Sequence, residues 1–220
     1  SSSTESRVVP GMAETTARRG ALTVLPQDIP AEIVRDVIAW QKSRHLVYDT
    51  PITLTPGTTV GEALVLLHKR AHGAALVTDG DRPVGIVTET DLTGVDRFTQ
   101  LEDVMVRDMV SLPDGVDVES AFDTLSHARR RLAPVVTPDG RLVGLLTRPG
   151  ALRAHLYSPA TDDTGRLRIA AAVGINGDVA AKAADLLDAG ADTLVIDTAH
   201  GHQEKMIEAI RRVKALDLPV

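Results

Sequence analysis

Val84-Gly85-Ile86-Val87-Thr88-Glu89-Thr90-Asp91 and Val143-Gly144-Leu145-Leu146-Thr147-Arg148-Pro149-Gly150 are the two stretches whose comparison decides how this chain is organised. Each runs from valine through glycine and two aliphatic residues to threonine. Gly144 follows Gly85 by 59 residues, and Thr147 follows Thr88 by the same interval. What precedes them also agrees. Before the first come Pro51-Ile52-Thr53-Leu54, a helical pattern from Val60 to Lys69, an apolar strand from Ala74 to Thr78 and the turn Asp79-Gly80-Asp81. Before the second come Met109-Val110-Ser111-Leu112, a helix around Val118 to Ala128, a strand from Ala133 to Thr137 and the turn Pro138-Asp139-Gly140. A period held this closely marks a duplicated unit, with copies at about residues 50–105 and 106–156.

On either side of the duplication the rhythm changes. Met12 to Arg19 reads as a helix tail stopped by Gly20, and Ala21 to Leu25 as a strand ended by Pro26. A helix then opens with Asp28 or Ile29 near its cap and Pro30 in its first turn. Ile33, Val34, Val37, Ile38 and Gln41 keep helical spacing as far as Lys42. Beyond the polar connector Ser158 to Gly165 come a strand (Leu167 to Val173), a helix capped by Asp178 (Val179 to Ala189, stopped by Gly190), and a strand from Thr193 that ends at Asp197. A loop from Thr198, a helix from Gln203 to Ala215 and the start of a further strand at Asp217 follow. Strand and helix in alternation predict parallel sheet. The fold class expected is α/β: an incomplete (β/α)8 TIM barrel at 1–48 and 157–220, with the duplicated module inserted at 49–156. A closed barrel takes about 250 residues, so the sequence reads as part of a longer chain. Ser1 to Val9 match none of these elements.

Composition narrows the function. With 43% hydrophobic and 25% charged residues the chain is globular in type, and two Phe, two Tyr and one Trp leave the cores to Val, Leu, Ile and Ala, as in buried parallel sheets. A net charge of −6 gives no footprint for nucleic acid. Arg129-Arg130-Arg131 reads as a solvated helix end, with contact to an anionic ligand or a partner as the alternative. No apolar run approaches the roughly 18 residues that span a bilayer, and no signal core follows the serine-rich start, so a cytoplasmic protein without a membrane partner is expected. The absence of cysteine removes disulfides, thiolate metal sites and a cysteine nucleophile from these residues. His200 and His202 have no visible third ligand, and no metal is expected.

Thr88 and Asp91 stand where a helix should begin. A hydroxyl there lies beside unpaired N–H groups suited to an anion, and a carboxylate can accept from two vicinal hydroxyls. The same two residues can equally cap the helix. The pattern Gly-hydrophobic-hydrophobic-Thr-x-x-Asp, complete at 85–91, resembles that of CBS domains, and the pair of copies resembles a tandem CBS (Bateman) module. The resemblance implies a nucleotide effector of the ATP, GTP or AMP type, held by Gly85, Thr88 and Asp91 and by Thr147. The second copy departs from the pattern, since Gly150 stands where the acid belongs and Pro149 enters the helix start. A packing or oligomerising spacer with no ligand is the alternative.

Asp197 is a lone carboxylate after four apolar residues at a strand's C-terminal end, the face on which barrel active sites lie, although a loop cap would also explain it. The strings Gly165-Arg166-Leu167-Arg168-Ile169-Ala170-Ala171-Ala172-Val173-Gly174 and Ala191-Asp192-Thr193-Leu194-Val195-Ile196-Asp197-Thr198-Ala199-His200-Gly201-His202 are successive strands of the second barrel piece, the latter with its loop, and the module interrupts the barrel after its second strand and helix. This arrangement resembles the IMP dehydrogenase and GMP reductase family, in its CBS-bearing actinobacterial branch. The resemblance implies an oxidoreductase of purine metabolism acting on IMP or GMP with NADPH or NAD, regulated allosterically through the CBS pair and assembled as a homo-oligomer, tetramer or octamer. It places Asp197 on the nicotinamide ribose, Thr198, Ala199, His200 and Gly201 around the cofactor side of the pocket, and Gly174 and Asn176 beside the cofactor. The family's nucleophile is a cysteine later in the barrel, so no catalytic residue is assigned here and the expectation is that it lies beyond Val220. Ordinary IMP dehydrogenases tend to have a basic residue and an asparagine where this chain has Pro26-Gln27-Asp28, and a serine where it has Gln203. These departures favour the reductive direction, GMP to IMP with NADPH. The alternatives are an IMP dehydrogenase using NAD, or a non-catalytic nucleotide-sensing module on a remnant barrel.

Overall fold

The computed structural model describes residues 8–68 and 73–216. In chain order α1 (Val8–Ala17), β1 (Val24–Leu25) and α2 (Ala31–Lys42) come first. The duplicated region follows with β2 (Thr53–Leu54), α3 (Val60–Leu67), β3 (Ala74–Asp79), β4 (Arg82–Thr88), α4 (Glu89–Leu92) and α5 (Leu101–Val104). Its second copy contains β5 (Leu112–Pro113), α6 (Val118–His127), β6 (Leu132–Val136), β7 (Leu142–Thr147) and α7 (Arg148–Leu156). The chain then forms β8 (Ala170–Gly174), α8 (Val179–Asp188), β9 (Thr193–Asp197) and α9 (Glu204–Lys214). The described residues divide into two compact units, one made of the segments before 47 and after 156, the other of 47–156. Ser1 to Arg7, Lys69 and the strand expected at Asp217 lie outside the described residues.

The first unit is built on a parallel sheet of order β1-β8-β9, with Val24 opposite Ala170 and Gly174 opposite Asp197. Ala170 to Val173 are all buried, as expected of a central parallel strand covered on both faces. On α2 the buried positions are Val34, Val37, Ile38 and Gln41, a helical stripe that packs Leu25, Ile169 and Ala171 into one core. Gly20 and Gly190, at φ +80° and +98°, take the left-handed conformation in which a side chain is strained. β1 is shorter than the expected run from Ala21, because only Val24 and Leu25 find partners on β8. Pro30 occupies the cap position rather than the first turn: its carbonyl accepts from Val34 N, and no side chain caps the helix.

Polar contacts close the base of this unit. The Lys42 ammonium, its side chain only 8% exposed, reaches Asp162 Oδ2 at 2.8 Å and Asp192 Oδ1 at 2.6 Å. Asp192 also accepts from Ile169 N at 2.7 Å, which fixes the entry to β8. Asp162 accepts from Thr164 N, Thr164 Oγ1 and Arg166 N. Burial pushes the Asp162 carboxyl up, but the hydrogen bonds from Lys42, Thr164 and Arg166 and the Lys42 charge outweigh it and hold the group well below the usual carboxylate range.

In the second unit each copy makes a sheet with the same topology, β2-β3-β4 and β5-β6-β7. In each the first pair is parallel and the second antiparallel, with register shifts at the equivalent points Val77/Thr78 and Val135/Val136. The copies also exchange segments. Val106, on the way into the second copy, bridges Ile86 of the first, whereas Asp49, on the way into the first, bridges Leu145 of the second. Met105 accordingly lies in the first copy's core and Tyr48 in the second's. The motif glycines make this exchange possible, since a Cβ on Gly85 would sit 2.3 Å from Met105 Sδ and one on Gly144 would sit 2.6 Å from Tyr48 Cβ.

Lys42→Met leaves two carboxylates facing each other in a buried site, and is expected to destabilise the first unit by roughly 3–5 kcal/mol, read by denaturant unfolding at neutral pH. Because the folded Asp162 carboxyl lies below its unfolded value, the stabilisation it brings is complete above about pH 4 and fades as the pH falls below that range. The gap between wild type and Asp162→Asn should therefore narrow in acid. A gap unchanged between pH 6 and about pH 3 would show that the ion pair contributes nothing.

Candidate functional site

The three parallel strands of the first unit all point one way, with Gly174 opposite Asp197 at their C-terminal ends and β1 stopping earlier, at Leu25 opposite Ala171. Two residues past β1, Gln27 turns its carboxamide across the end of β8 and donates from Nε2 to Asp197 Oδ2 at 3.1 Å. The three atoms nearest to where a Gly174 Cβ would lie all belong to Gln27, with Oε1 at 1.9 Å. The other oxygen of Asp197 has no hydrogen-bond partner among the described residues. Asp197, Ala199, His200 and Gly201 are exposed and Thr198 is half-buried. The strand end therefore offers a carboxylate, oriented by a carboxamide, to anything that approaches this edge of the sheet.

Not every residue assigned to a cofactor from the sequence gathers here. Gly174 and Asp197 are register partners, but Asn176 lines a separate depression of about 740 Å³ between the β8–α8 loop and α9, with Gly177, Glu204, Lys205 and Arg211 among its walls. None of residues 197–201 lines it. Among the described residues no group of three or more His, Asp or Glu side chains is arranged to hold a metal. The sequence had singled out Gln27 only as a departure from the family pattern. Its place past a strand's C-terminal end was the available signal, but the side chain's reach across Gly174 depends on two strands formed far along the chain.

In the second unit Thr88 and Asp91 form a reciprocal cap. Thr88 Oγ1 accepts from Asp91 N at 3.4 Å, while Asp91 Oδ2 accepts from Thr88 N at 2.8 Å and Thr88 Oγ1 at 2.7 Å. The hydroxyl proton of Thr88 is thus directed at Asp91. The bare face of Gly85 is occupied by Met105. At the equivalent place in the second copy Thr147 Oγ1 accepts from Gly150 N at 2.9 Å. The acid missing from position 150 has a spatial counterpart, because a Cβ on Gly150 would lie 3.6 Å from Asp49 Oδ2 and 2.8 Å from Thr147 Oγ1.

The two helix starts differ in charge: Glu89 and Asp91 in the first copy are replaced by Arg148 and Gly150 in the second. Beside Thr147 lies a depression of about 430 Å³ walled by Phe122, Leu152, Pro149 and the three arginines Arg131, Arg148 and Arg153. None of these arginines pairs with a carboxylate among the described residues. The Arg129–Arg131 run thus splits, with Arg129 at φ +53°, Arg130 reaching Asp108 and Arg131 on the depression. Unneutralised guanidinium groups beside an aromatic ring and a helix N-terminus suit an anion that also carries a flat apolar group.

The class of molecule so defined is an α/β protein whose parallel strand ends present an exposed carboxylate and whose chain is interrupted by a duplicated α/β module. Comparison with known proteins makes this specific: the family described as IMP dehydrogenase / GMP reductase domain matches residues 1–219, and the chain belongs to it. The GMP reductases of Mycobacterium bovis and Mycobacterium tuberculosis are 55% identical over 207 residues, 94% of this chain and 43% of theirs. The inosine-5'-monophosphate dehydrogenase of M. tuberculosis is 34% identical over 217 residues, 96% of this chain and 40% of that protein. Among solved structures, GMP reductase from Trypanosoma brucei in complex with guanosine 5'-triphosphate matches with a TM-score of 0.65 at 28% identity, covering 94% of this chain and 51% of that one. Such neighbours are consistent with a partial (β/α)8 barrel. The chain spans under half the length of the curated relatives it matches.

Gly150→Asp would restore the motif on paper but place a carboxylate against Thr147 and the Asp49 carboxylate. It is expected to destabilise the second unit by about 1–3 kcal/mol in denaturant unfolding. A variant as stable as the wild type would show that the second copy tolerates the acid.

Proposed function

We propose that the protein of which this chain is part is a GMP reductase, in which GMP, NADPH and two protons give IMP, NADP+ and ammonium. The observation that carries the reading is the difference in identity, 55% to mycobacterial GMP reductases against 34% to the IMP dehydrogenase of the same genus over nearly the same residues. The nicotinamide cofactor, when bound, supplies the hydride. Asp197 fits the part of ribose ligand, since it is an exposed carboxylate at a strand end with one oxygen held by Gln27 and the other unengaged among the described residues. In this reading Thr198, Ala199, His200 and Gly201 shape the cofactor's approach and Gly174 keeps the strand end low. Asn176, on its separate depression, lies further along the same edge. The cysteine nucleophile that the family resemblance implies is not among these residues, so the attack on the purine is assigned to none of them.

Residues 47–156 form, in the same reading, a tandem CBS module that takes a purine nucleotide of the ATP, GTP or AMP type and regulates a cytoplasmic homo-oligomer, tetramer or octamer. Its support is the repeated Thr-capped helix start at Thr88 and Thr147 and the arginine-walled depression beside Thr147. In the first copy Asp91 already accepts from Thr88, whereas Arg148 in place of Glu89, with Arg131 and Arg153 beside it, makes the second copy the stronger phosphate site.

The full-length protein is expected to oxidise NADPH in the presence of GMP and to leave NAD unreduced in the presence of IMP, followed by the absorbance of the reduced nicotinamide. The opposite pattern would make it an IMP dehydrogenase. No turnover in either direction would make the chain a sensing module on an inactive barrel. Calorimetric titration with ATP, GTP and AMP should show binding that Arg148→Glu weakens at least about tenfold by reversing a phosphate contact. Heat absent with all three nucleotides would reduce the module to a spacer.

A further inference from the structure

We infer that Gln27 is a positioning residue for the dinucleotide site: its carboxamide, lying across Gly174, holds the Asp197 carboxylate in the orientation that meets a ribose diol. The inference rests on the oxidoreductase reading above and adds to it a residue from a different strand. Three observations converge. Gln27 Nε2 donates to Asp197 Oδ2 at 3.1 Å, across 170 positions of sequence. The middle strand lying between them ends in a glycine whose missing side chain leaves the space that the carboxamide fills, and no other residue supplies any of the three closest atoms. Gly174 and Asp197 are register partners, so the carboxamide and the carboxylate meet over the end of the same sheet.

The chemistry follows from what each group offers. An exposed carboxylate rotates freely and accepts equally from water; a neutral donor on one oxygen fixes its plane without cancelling its charge. The second oxygen is then directed as an acceptor toward an incoming hydroxyl. A lysine or arginine in place of Gln27 would make a stronger contact, but would neutralise the charge that attracts the hydroxyl protons. Gly174 on this account serves Gln27 and, through it, the ligand. Its replacement should act by dislodging the carboxamide.

The test uses the full-length protein and measures NADPH and GMP dissociation constants by calorimetry, steady-state constants, and thermal unfolding without ligand. Gln27→Met, which keeps the bulk and loses the donor, should raise the NADPH dissociation constant about tenfold, because a carboxylate no longer held in place makes a poorer charged hydrogen bond to the ribose. KM for NADPH should rise with it while the GMP constants stay put. Gly174→Ala should weaken NADPH binding to the same degree and lower the unliganded melting temperature. In the Gln27→Ala background the added methyl should cost nothing further in affinity and should no longer lower the melting temperature, because the side chain that supplied its three nearest atoms is gone. A merely structural Gln27 would lower stability without separating the two ligands. Unchanged NADPH affinity in a folded Gln27→Met protein, or losses that add in the double variant, would overturn the inference. A wild-type protein that binds GMP but no dinucleotide would instead sink the oxidoreductase reading on which it stands.

Discussion

Lys42, buried between Asp162 and Asp192, is the contact on which the first unit depends, because it joins pieces of chain that the sequence separates by more than a hundred residues. β1 contributes only two residues to the sheet, too few to hold the N-terminal piece against β8 by backbone hydrogen bonds alone. The α2 stripe of Val34, Val37 and Ile38 adds apolar burial, and Gln41 reaches the carbonyls of Ala13 and Arg168 from the same helix face. Apolar contact brings the pieces together without specifying register. A charge shared by two carboxylates, one of which also holds Ile169 N, ties the end of α2 to the points where β8 and β9 begin. A long insertion costs such a sheet little, since loop-closure entropy grows only slowly with length.

The second unit meets a related problem by exchange. The first strand of each copy, β2 or β5, is only two residues long, and each copy extends its sheet with a bridge from the segment that leads into the other. The glycine of each motif is part of this arrangement, because Met105 crosses Gly85 and Tyr48 crosses Gly144. Burial raises the Tyr48 phenol, whose oxygen accepts from Gly115 N and ties the exchanged segment to the second copy. The two helix starts nevertheless differ in charge, with Glu89 and Asp91 in the first copy against Arg148 and Gly150 in the second.

Both candidate sites use one device, a polar group brought by the fold to a place where a glycine makes room. At the barrel-like strand ends Gln27 lies over Gly174 to reach Asp197. In the module Asp49 lies near Gly150, beside Thr147. In neither case does the acting residue belong to the local motif.

That difference separates what could be read along the chain from what could not. Periodicity, Gly and Pro punctuation and the 59-residue repeat made the α/β elements, the duplication and the strand-end Asp197 legible, because these depend on residues close in sequence. Element ends were read less well: β1 is shorter than its apolar run because strand length is set by partners, and Pro30 caps α2 because the first helical bond comes from its carbonyl. The exchanged segments, the Lys42 clasp, the arginine-walled depression and the grip of Gln27 on Asp197 were decided only by tertiary structure. Each joins residues whose separation in the chain carries no pattern, and a hydrogen bond or ion pair has a partner only after two surfaces have met.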